Sequence, residues 1–206
     1  MSIPKKIFCI WFGEPTELIN KCIESQKIPG YEHRLITLDN VYTSSRYVNE
    51  ALSAEKLGVK RFCKAADLLR IYYLFREGGI YLDADFEVLP GKNFDDLLDN
   101  KMFCGLDENG YNASSVMGAE AGHPLLNYII SQIEENYRGD GGWIWEPGMQ
   151  FFSGAVTMHN NRYPQGEHVI KILPPNWFFP YHWKDKTTEI TENTRTIHHY
   201  LGSWVK

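Results

Sequence analysis

One segment of this 206-residue sequence restricts the fold more than any other: a helical pattern that runs through two glycines into a short apolar run and two aspartates. The glycine pair, Gly78-Gly79, is a strong stop signal for the helix predicted over residues 64–76. Residues 80–82 (Ile-Tyr-Leu) are apolar enough for an interior strand. Because alternate residues of a strand point the same way, Asp83 and Asp85 are predicted to project from one side of its carboxyl end. The apolar face of the helix comprises Ala65, Leu68, Leu69, Tyr72 and Phe75.

The other periodic segments extend this unit into an α/β domain. Apolar runs at 6–12 and 31–38 flank a helical pattern at 17–26, and strand, helix, strand is how an α/β fold opens. We therefore expect one α/β domain over residues 1–206. The remaining predictions are helices at 49–56 and 124–137, strands at 102–106, 169–173 and 196–200, and a loop at 138–154.

Composition narrows the range of functions. The chain is 43% hydrophobic, its net charge is -5, and its basic residues form no tract, which disfavours nucleic-acid binding. The apolar runs fall well short of the ~20 residues that span a membrane. We expect a soluble, cytoplasmic protein, for which peripheral membrane contact stays open. The four cysteines are scattered without a Cys-x-x-Cys pair, so we expect buried thiols rather than a zinc site or disulfides.

Two pairs of charged residues are candidates for chemistry. Asp83 and Asp85 offer carboxylate oxygens for a divalent cation at the sheet edge where α/β proteins bind ligands, although Asp-x-Asp also occurs by chance on surfaces. Asp67 and Arg70 lie three residues apart on the preceding helix. Two interpretations stay open for this second pair: an ordinary helical ion pair, or contacts to phosphate and hydroxyl groups at the same edge.

Three runs of the sequence resemble glycosyltransferase family 32, the group similar to yeast mannosyltransferases and bacterial capsule or lipopolysaccharide transferases. Residues 63–89 (CKAADLLRIYYLFREGGIYLDADFEVL) resemble its sugar-binding region and the catalytic core of the large clostridial glucosylating toxins. Residues 3–13 (IPKKIFCIWFG) resemble its first strand, with Cys9 where His is frequent, and residues 196–204 (TIHHYLGSW) resemble its closing element. The resemblance implies a single, Rossmann-like nucleotide-sugar-binding domain of GT-A type with a mixed central sheet.

The resemblance also implies a catalytic set and a metal site. Asp67 and Arg70 match residues that contact the donor sugar and its phosphates. Asp83 matches the acid that touches ribose and metal-bound water, and Asp85 matches the direct metal ligand. His198 or His199 would supply a further ligand to Mn²⁺ or Mg²⁺. Since neighbouring strand residues point to opposite sides, at most one of them should ligate, and we favour His198.

A further group matches the residues that bind the nucleotide sugar. Trp11 matches the tryptophan that stacks on the base, and Ser203 and Trp204 match the element that closes over the diphosphate. Asn112 resembles a position near the donor sugar, with a loop-capping asparagine as the alternative. The complete predicted set is Trp11, Phe12, Gly13, Tyr81, Asn112, Ser203 and Trp204.

These matches predict a retaining glycosyltransferase. It would move a sugar from a nucleoside diphosphate sugar, expected to be a UDP-sugar, to a hydroxyl of a glycan or glycolipid in bacterial surface polysaccharide or glycan synthesis. No carboxylate stands out as a nucleophile, so we expect attack on the face that the diphosphate leaves. The alternatives are a metal-dependent phosphohydrolase or nucleotidyltransferase, and a non-catalytic sugar-binding module built on the aromatic residues at 177–183.

Overall fold

The computed structural model describes residues 2–42, 45–56, 62–139, 142–143, 148–166, 168–181 and 190–201. The helices in these ranges are α1 (Glu17–Ser25), α2 (Arg46–Lys56), α3 (Phe62–Glu77), α4 (Pro124–Asn136) and α5 (Met149–Arg162). The strands are β1 (Lys6–Ile10), β2 (Glu32–Ile36), β3 (Gly79–Leu82), β4 (Phe86–Val88), β5 (Met102–Leu106), β6 (Asn112–Ala119), β7 (Tyr137–Gly139), β8 (Gly142–Trp143), β9 (Lys171–Leu173) and β10 (Thr196–His198).

Six of these strands form a mixed sheet in the order β2-β1-β3-β6-β5-β9. Strands β2, β1 and β3 are parallel, β6 runs antiparallel to both β3 and β5, and β9 runs parallel to β5. The carboxyl ends of β1, β2 and β3 therefore share one edge. Strand β4 follows β3 beyond this edge and pairs with β10 in a two-stranded antiparallel ribbon. The mixed α/β fold predicted from the sequence is confirmed.

Strand alternation divides the core into two layers on either side of the sheet. Phe8 and Tyr81 pack with the buried residues of α2, α3, α4 and α5 on one face. Ile7 and Ile80 pack on the opposite face with Phe86 and the segment that follows β4. With helices on one face and the β4–β10 ribbon on the other, β3 is covered on both sides, and its four residues are all buried.

Helix α3 is buried on more of its surface than the sequence pattern predicts. The predicted residues Ala65, Leu68 and Leu69 are buried, but Ile71 and Leu74 are buried as well. The reason is that α3 contacts the sheet on one side and both α2 and α4 on others. A helix surrounded in this way carries apolar residues around most of its circumference.

Strand β6 and helix α5, which both lie near the site, were not predicted. Strand β6 begins with polar residues, Asn-Ala-Ser-Ser, and this polar start conceals a strand that is buried for most of its length. Helix α5 begins at Met149, inside the segment predicted to be a loop. The glycines and tryptophans before Met149 led to the prediction of a loop. The helix is nevertheless marked by buried residues at helical spacing: Phe152, Ala155, Val156 and His159.

The structure also shows where the cysteines and the aromatic run near the C-terminus lie. The four cysteines are free thiols, and Cys9, Cys22 and Cys104 are buried, as predicted. Phe178 and Phe179, from the aromatic run proposed as a sugar platform, are also buried and belong to the core beneath the β4–β10 ribbon. Within the described ranges no helix combines the length and the apolar character that a membrane span requires.

The glycine pair between α3 and β3 fixes how the motif strand enters the sheet. Gly78 and Gly79 have φ values of 65° and 129°, which side chains other than glycine rarely adopt. A Cβ on Gly79 would lie 2.8 Å from the carbonyl oxygen of Lys6 on β1. The chain can therefore reverse from α3 into β3 at this distance from β1 only with glycine at position 79.

We predict that Gly79→Ala destabilises the protein more than a glycine substitution in open space. Gly91 also has a positive φ, 75°, but nothing lies within 4 Å of its added Cβ. Gly91→Ala should lower the free energy of unfolding by about 1–2 kcal/mol through backbone strain alone. Gly79→Ala should cost about 1–3 kcal/mol more because the backbone must also move. Urea unfolding of both variants measures this difference, and equal losses would contradict the packing argument.

Candidate active site

The Asp-x-Asp segment forms a tight turn, and the side chain of a buried glutamine donates hydrogen bonds to its backbone. The backbone N–H of Phe86 donates to the carbonyl of Asp83 at 3.1 Å. Gln26, which follows α1 and is fully buried, donates its side-chain amide to the carbonyls of Asp83 and Phe86, each at 3.0 Å. Gln26 carries no sequence signal beyond its position at a helix end, so sequence reasoning missed it.

Asp83, Asp85 and His198 come together at the carboxyl end of β3. One ligand atom from each lies within 4.8 Å of those of the other two. His198 reaches the motif because it lies opposite Phe86 in the β4–β10 ribbon, where the two rings stack with centroids 4.4 Å apart. Its Nε2 is 3.2 Å from Oδ1 of Asp85. The structure thus brings the favoured histidine to the two carboxylates.

The two carboxylates have different electrostatic environments. Burial raises the pKa of Asp83, opposed by the charge of Arg70 and reinforced by that of Asp85. Burial would also raise the pKa of Asp85, but His198 and the backbone N–H of Leu201, 3.1 Å from Oδ2, hold it below its usual value. A buried carboxylate, a half-buried one beside it and an imidazole offer the oxygen and nitrogen ligands that suit a divalent cation. The donor set therefore fits Mn²⁺ or Mg²⁺.

Arg70 is buried beside this cluster, with only 7% of its surface exposed. One terminal nitrogen, Nη2, lies 2.9 Å from Oδ1 of Asp67 and 3.3 Å from Oδ1 of Asp83. The other, Nη1, donates to the hydroxyl of Ser114 on β6 at 3.3 Å. The ion pair with Asp67 predicted from their spacing exists, but it is not an exposed helical pair, because Arg70 connects it to the Asp-x-Asp motif.

Tyr81 contacts both Asp83 and Arg70. Its hydroxyl donates to Oδ1 of Asp83 at 2.6 Å, its ring lies 4.9 Å from the Arg70 guanidinium carbon, and its side chain is almost fully buried. Burial raises the pKa of Tyr81 well above its ordinary value, which keeps the hydroxyl protonated as a donor. The structure therefore places Tyr81 as a support for Asp83 and Arg70, whereas the sequence resemblance counted it among the donor-binding residues.

The residues after β1 diverge to opposite faces of the sheet. Trp11 packs against a cluster that contains Ile23 and Ala84, and with Gly13 it lines a cavity of about 360 Å³ between α1 and β2. Phe12 packs instead against Phe62 at the start of α3, with ring centroids 5.1 Å apart. Trp11 thus packs against the cluster that includes the middle residue of the Asp-x-Asp motif, and its proposed stacking on a base stays a prediction.

Asn112 belongs to β6 rather than to a loop, so the loop-capping interpretation is wrong. Its backbone N–H donates to the hydroxyl of Ser153 at 3.0 Å, and its side-chain amide donates to the Ser153 carbonyl at 3.3 Å. Its Oδ1 is buried and has no hydrogen-bond partner among the described residues. Asn112 joins β6 to α5 on the strand that also carries Ser114, the partner of Arg70.

His199 points away from the carboxylate cluster, as strand alternation requires. Its Nε2 lies 2.9 Å from Oε2 of Glu87, and Oε1 of Glu87 lies 2.9 Å from the amine of Lys21. His199 is therefore absent from the group of candidate ligands in the described part of the chain, and His198 is the histidine that fits. Ser203 and Trp204 lie outside the described residues.

Sequence reasoning missed Gln26, Ser114 and Lys21 because they are distant in sequence from the motif and its neighbour Glu87. A polar residue at every second position of a buried strand was the available signal for Ser114, since Asn112 and Ser114 project to the same side of β6. No comparable signal marks Gln26 or Lys21.

The fold and site together define a class. A mixed sheet with an Asp-x-Asp turn at the carboxyl end of a parallel strand is the GT-A type arrangement of glycosyltransferases. A solved structure named PaToxG Glycosyltransferase shares this fold, with a TM-score of 0.58, 19% sequence identity, and coverage of 79% of this chain and 71% of that one.

A family profile matches part of the sequence. Residues 15–104 match the profile described as "Glycosyltransferase sugar-binding region containing DXD motif", which confirms the resemblance noted above. Residues 15–104 are thus similar to the DXD-containing sugar-binding region of glycosyltransferases.

Curated relatives match a longer part of the chain. A lactosylceramide 4-alpha-galactosyltransferase of Rattus norvegicus is 30% identical over 126 residues, 58% of this chain and 32% of that protein. The protein of the same name in Homo sapiens is 26% identical over 126 residues, 58% of this chain and 33% of that protein. The matched region is thus about a third of the length of these relatives.

We predict that the carboxylate cluster binds Mn²⁺ together with a nucleoside diphosphate. At 100 times the dissociation constant, a ligand stabilises a protein by about 2.7 kcal/mol, which for a domain of this size raises the Tm by about 5–10 °C. Mn²⁺ with UDP should stabilise the wild type beyond either ligand alone. Asp85→Asn should abolish that gain, and Asp95→Asn, a surface carboxylate that accepts a hydrogen bond from Tyr31, should not. Thermal unfolding measures both, and full stabilisation of Asp85→Asn would exclude this metal site.

Proposed function

We propose that this chain is a divalent-cation-dependent glycosyltransferase that uses a nucleoside diphosphate sugar, a UDP-sugar, as donor. The observation that carries this proposal is the convergence of Asp83, Asp85 and His198 at one strand end, beside a buried Arg70. The family match supports the same conclusion for the sugar-binding region.

The arrangement of carboxylates favours a transferase over a metal-dependent phosphohydrolase. A phosphohydrolase site of this kind would recruit further carboxylates to its cations. Glu87 is the next carboxylate along the chain, and it is held by Lys21 and His199 instead. Among the described residues, the candidate metal group contains only two carboxylates and one histidine.

The proposed acceptor is a hydroxyl of a glycan or a glycolipid. The rat and human relatives are named for transfer to lactosylceramide, and their names support a glycolipid within this class. A role in bacterial surface polysaccharide synthesis belongs to the same class of acceptor. The proposed reaction forms a bond from the acceptor oxygen to the anomeric carbon and breaks the bond from that carbon to the diphosphate. The acceptor proton passes to the departing diphosphate oxygen, and the resemblance supports retention of configuration.

Each part of the site has a task in this proposal. The cation, when bound by Asp83, Asp85 and His198, supplies Lewis-acid stabilisation of the leaving diphosphate. Arg70 adds a fixed positive charge beside them. Burial alone would lower the pKa of Arg70, but Asp83, Tyr81 and Asp67 hold it above its usual value, so the guanidinium stays charged. Asp67 orients Arg70 and presents a carboxylate oxygen to the sugar hydroxyls.

We predict that Arg70→Lys lowers kcat/KM by at least about 10-fold, since charge-assisted hydrogen bonds contribute about 1.5–3 kcal/mol each. Lysine keeps the charge but cannot contact Asp67, Asp83 and Ser114 together. Arg34 provides a matched control, because it also pairs with a carboxylate, that of Glu77, and lies over a tyrosine ring away from the site. Steady-state kinetics of Arg34→Lys should resemble the wild type. Similar losses in both variants, or none in either, would contradict the role of Arg70.

We also predict that Trp11 stacks on the nucleotide base. Stacking of a base on an aromatic side chain contributes about 1–3 kcal/mol, so Trp11→Leu should weaken UDP binding by about one to two orders of magnitude. Trp11→Phe removes similar packing volume but keeps an aromatic face, and it should retain most of the affinity. Calorimetric titration with UDP and Mn²⁺ separates the two. Equal affinity for Trp11→Leu and the wild type would leave Trp11 as a packing residue only.

A further inference from the structure

Tyr200 has an unusual backbone next to the candidate metal site. Its φ of 49° is the only positive value of a non-glycine residue in the described part of the chain. The left-handed region is unfavourable for a residue with a bulky side chain, and such a conformation persists only where surrounding contacts impose it. Tyr200 follows His198 and His199 directly, so the contacts that impose it lie within the site.

The conformation of Tyr200 wraps the chain around Asp85. Before the turn, the backbone N–H of His199 donates to the Asp85 carbonyl at 3.0 Å. After it, the backbone N–H of Leu201 donates to Oδ2 of Asp85 at 3.1 Å. A chain that continued in the extended conformation of β10 would carry this second amide away from the carboxylate, so the left-handed turn is what allows both bonds to form.

The ring of Tyr200 also completes an aromatic enclosure of His198. The two ring centroids are 4.0 Å apart. The His198 ring also stacks on Phe86, with centroids 4.4 Å apart, and contacts Phe179 edge-on, with centroids 5.6 Å apart. These rings fix the plane of the imidazole, and its Nε2 lies 3.2 Å from Oδ1 of Asp85. Orientation of metal-binding histidines by neighbouring groups contributes strongly to metal affinity.

The hydroxyl of Tyr200 connects this turn to a different part of the fold. It donates to Oε2 of Glu108 at 2.7 Å. Glu108 lies in the turn between β5 and β6, which is fixed because Oδ1 of Asp107 accepts from the N–H groups of Asn109 and Tyr111 at 3.0 and 2.7 Å. Strand β6 continues from this turn to Ser114, the partner of Arg70. The Tyr200–Glu108 bond therefore joins the C-terminal segment to the hairpin on the Arg70 side of the site.

We propose that Tyr200 and Glu108 form a latch that positions His198 and Asp85 for the divalent cation. The inference rests on the proposed function, because it assumes that the carboxylate cluster binds metal. Tyr200 is a positioning residue: it orders the ligands and touches neither substrate nor cation. Closing the latch fixes the His198 ring and directs the Leu201 N–H to Asp85, and opening it releases both.

The test is Mn²⁺ affinity, measured by electron paramagnetic resonance of free Mn²⁺ with the full chain and without donor. Tyr200→Phe and Glu108→Gln each weaken or remove the latch bond, and each should weaken Mn²⁺ binding by roughly 10-fold, the scale seen for residues that orient metal ligands. The double variant should be no weaker than Tyr200→Phe alone, because both changes act on one bond. In turnover, the Mn²⁺ concentration for half-maximal rate should rise while kcat at saturating Mn²⁺ changes little.

Tyr31→Phe is the matched control. Tyr31 also donates its hydroxyl to a carboxylate at 2.7 Å, that of Asp95, but away from the cluster. It should change the Tm as Tyr200→Phe does and leave Mn²⁺ affinity at the wild-type value. Wild-type affinity in Tyr200→Phe, or an equal loss in Tyr31→Phe, would overturn the latch while leaving the proposed function standing. If the wild-type protein shows no sugar-transfer activity and binds no Mn²⁺, both the latch and the proposed function are overturned.

Discussion

The structure depends on two carboxylates at the end of β3 that are largely removed from water, Asp85 being buried and Asp83 half-buried. An ionised carboxylate away from water is costly unless charges or hydrogen bonds compensate it, and removing one partner of such a group is more damaging than the bond itself suggests. Asp83 is compensated by Arg70 and Tyr81, and Asp85 by His198 and a backbone amide. The compensation is divided: Arg70 of α3 and Tyr81 of β3 compensate the first aspartate, and the C-terminal segment compensates the second.

That division explains the architecture around the motif. Arg70 reaches Asp83 because α3 is packed against β3 on the helical face of the sheet. His198 reaches Asp85 because β10 returns more than a hundred residues later to pair with β4 on the opposite face. The turn between these two contacts is held by Gln26, whose amide bonds both of its carbonyl ends. A site assembled from both faces of a sheet is rigid, and rigidity is what a set of metal ligands requires.

The profile match and the side-chain geometry of the site are separate observations, and both include the Asp-x-Asp motif. The matched region, residues 15–104, contains Asp67, Arg70, Asp83 and Asp85 but ends before β10. The third member of the cluster, His198, is therefore supplied by the tertiary structure rather than by the match. Agreement between the two on one strand end is the reason we propose a nucleotide-sugar site there.

The sequence by itself determined the elements whose signals are local. The helix before the glycine pair, the buried β3 and the aspartates two residues apart follow from periodicity and from the conformational freedom of glycine, and the structure has them within a few residues of their predicted bounds. Strand alternation also separated His198 from His199. Tertiary structure alone decided which side chains compensate the motif. Gln26, Glu108 and the left-handed Tyr200 carry no local pattern, because their roles come from contacts between segments distant in the chain. Ser114 is marked by the sequence only as a polar residue in a buried strand, and its bond to Arg70 is likewise a contact between distant segments. The tertiary structure also decided that Arg70 is buried. Spacing on a helix predicts which residues of that helix are neighbours, but not which other segments pack over them.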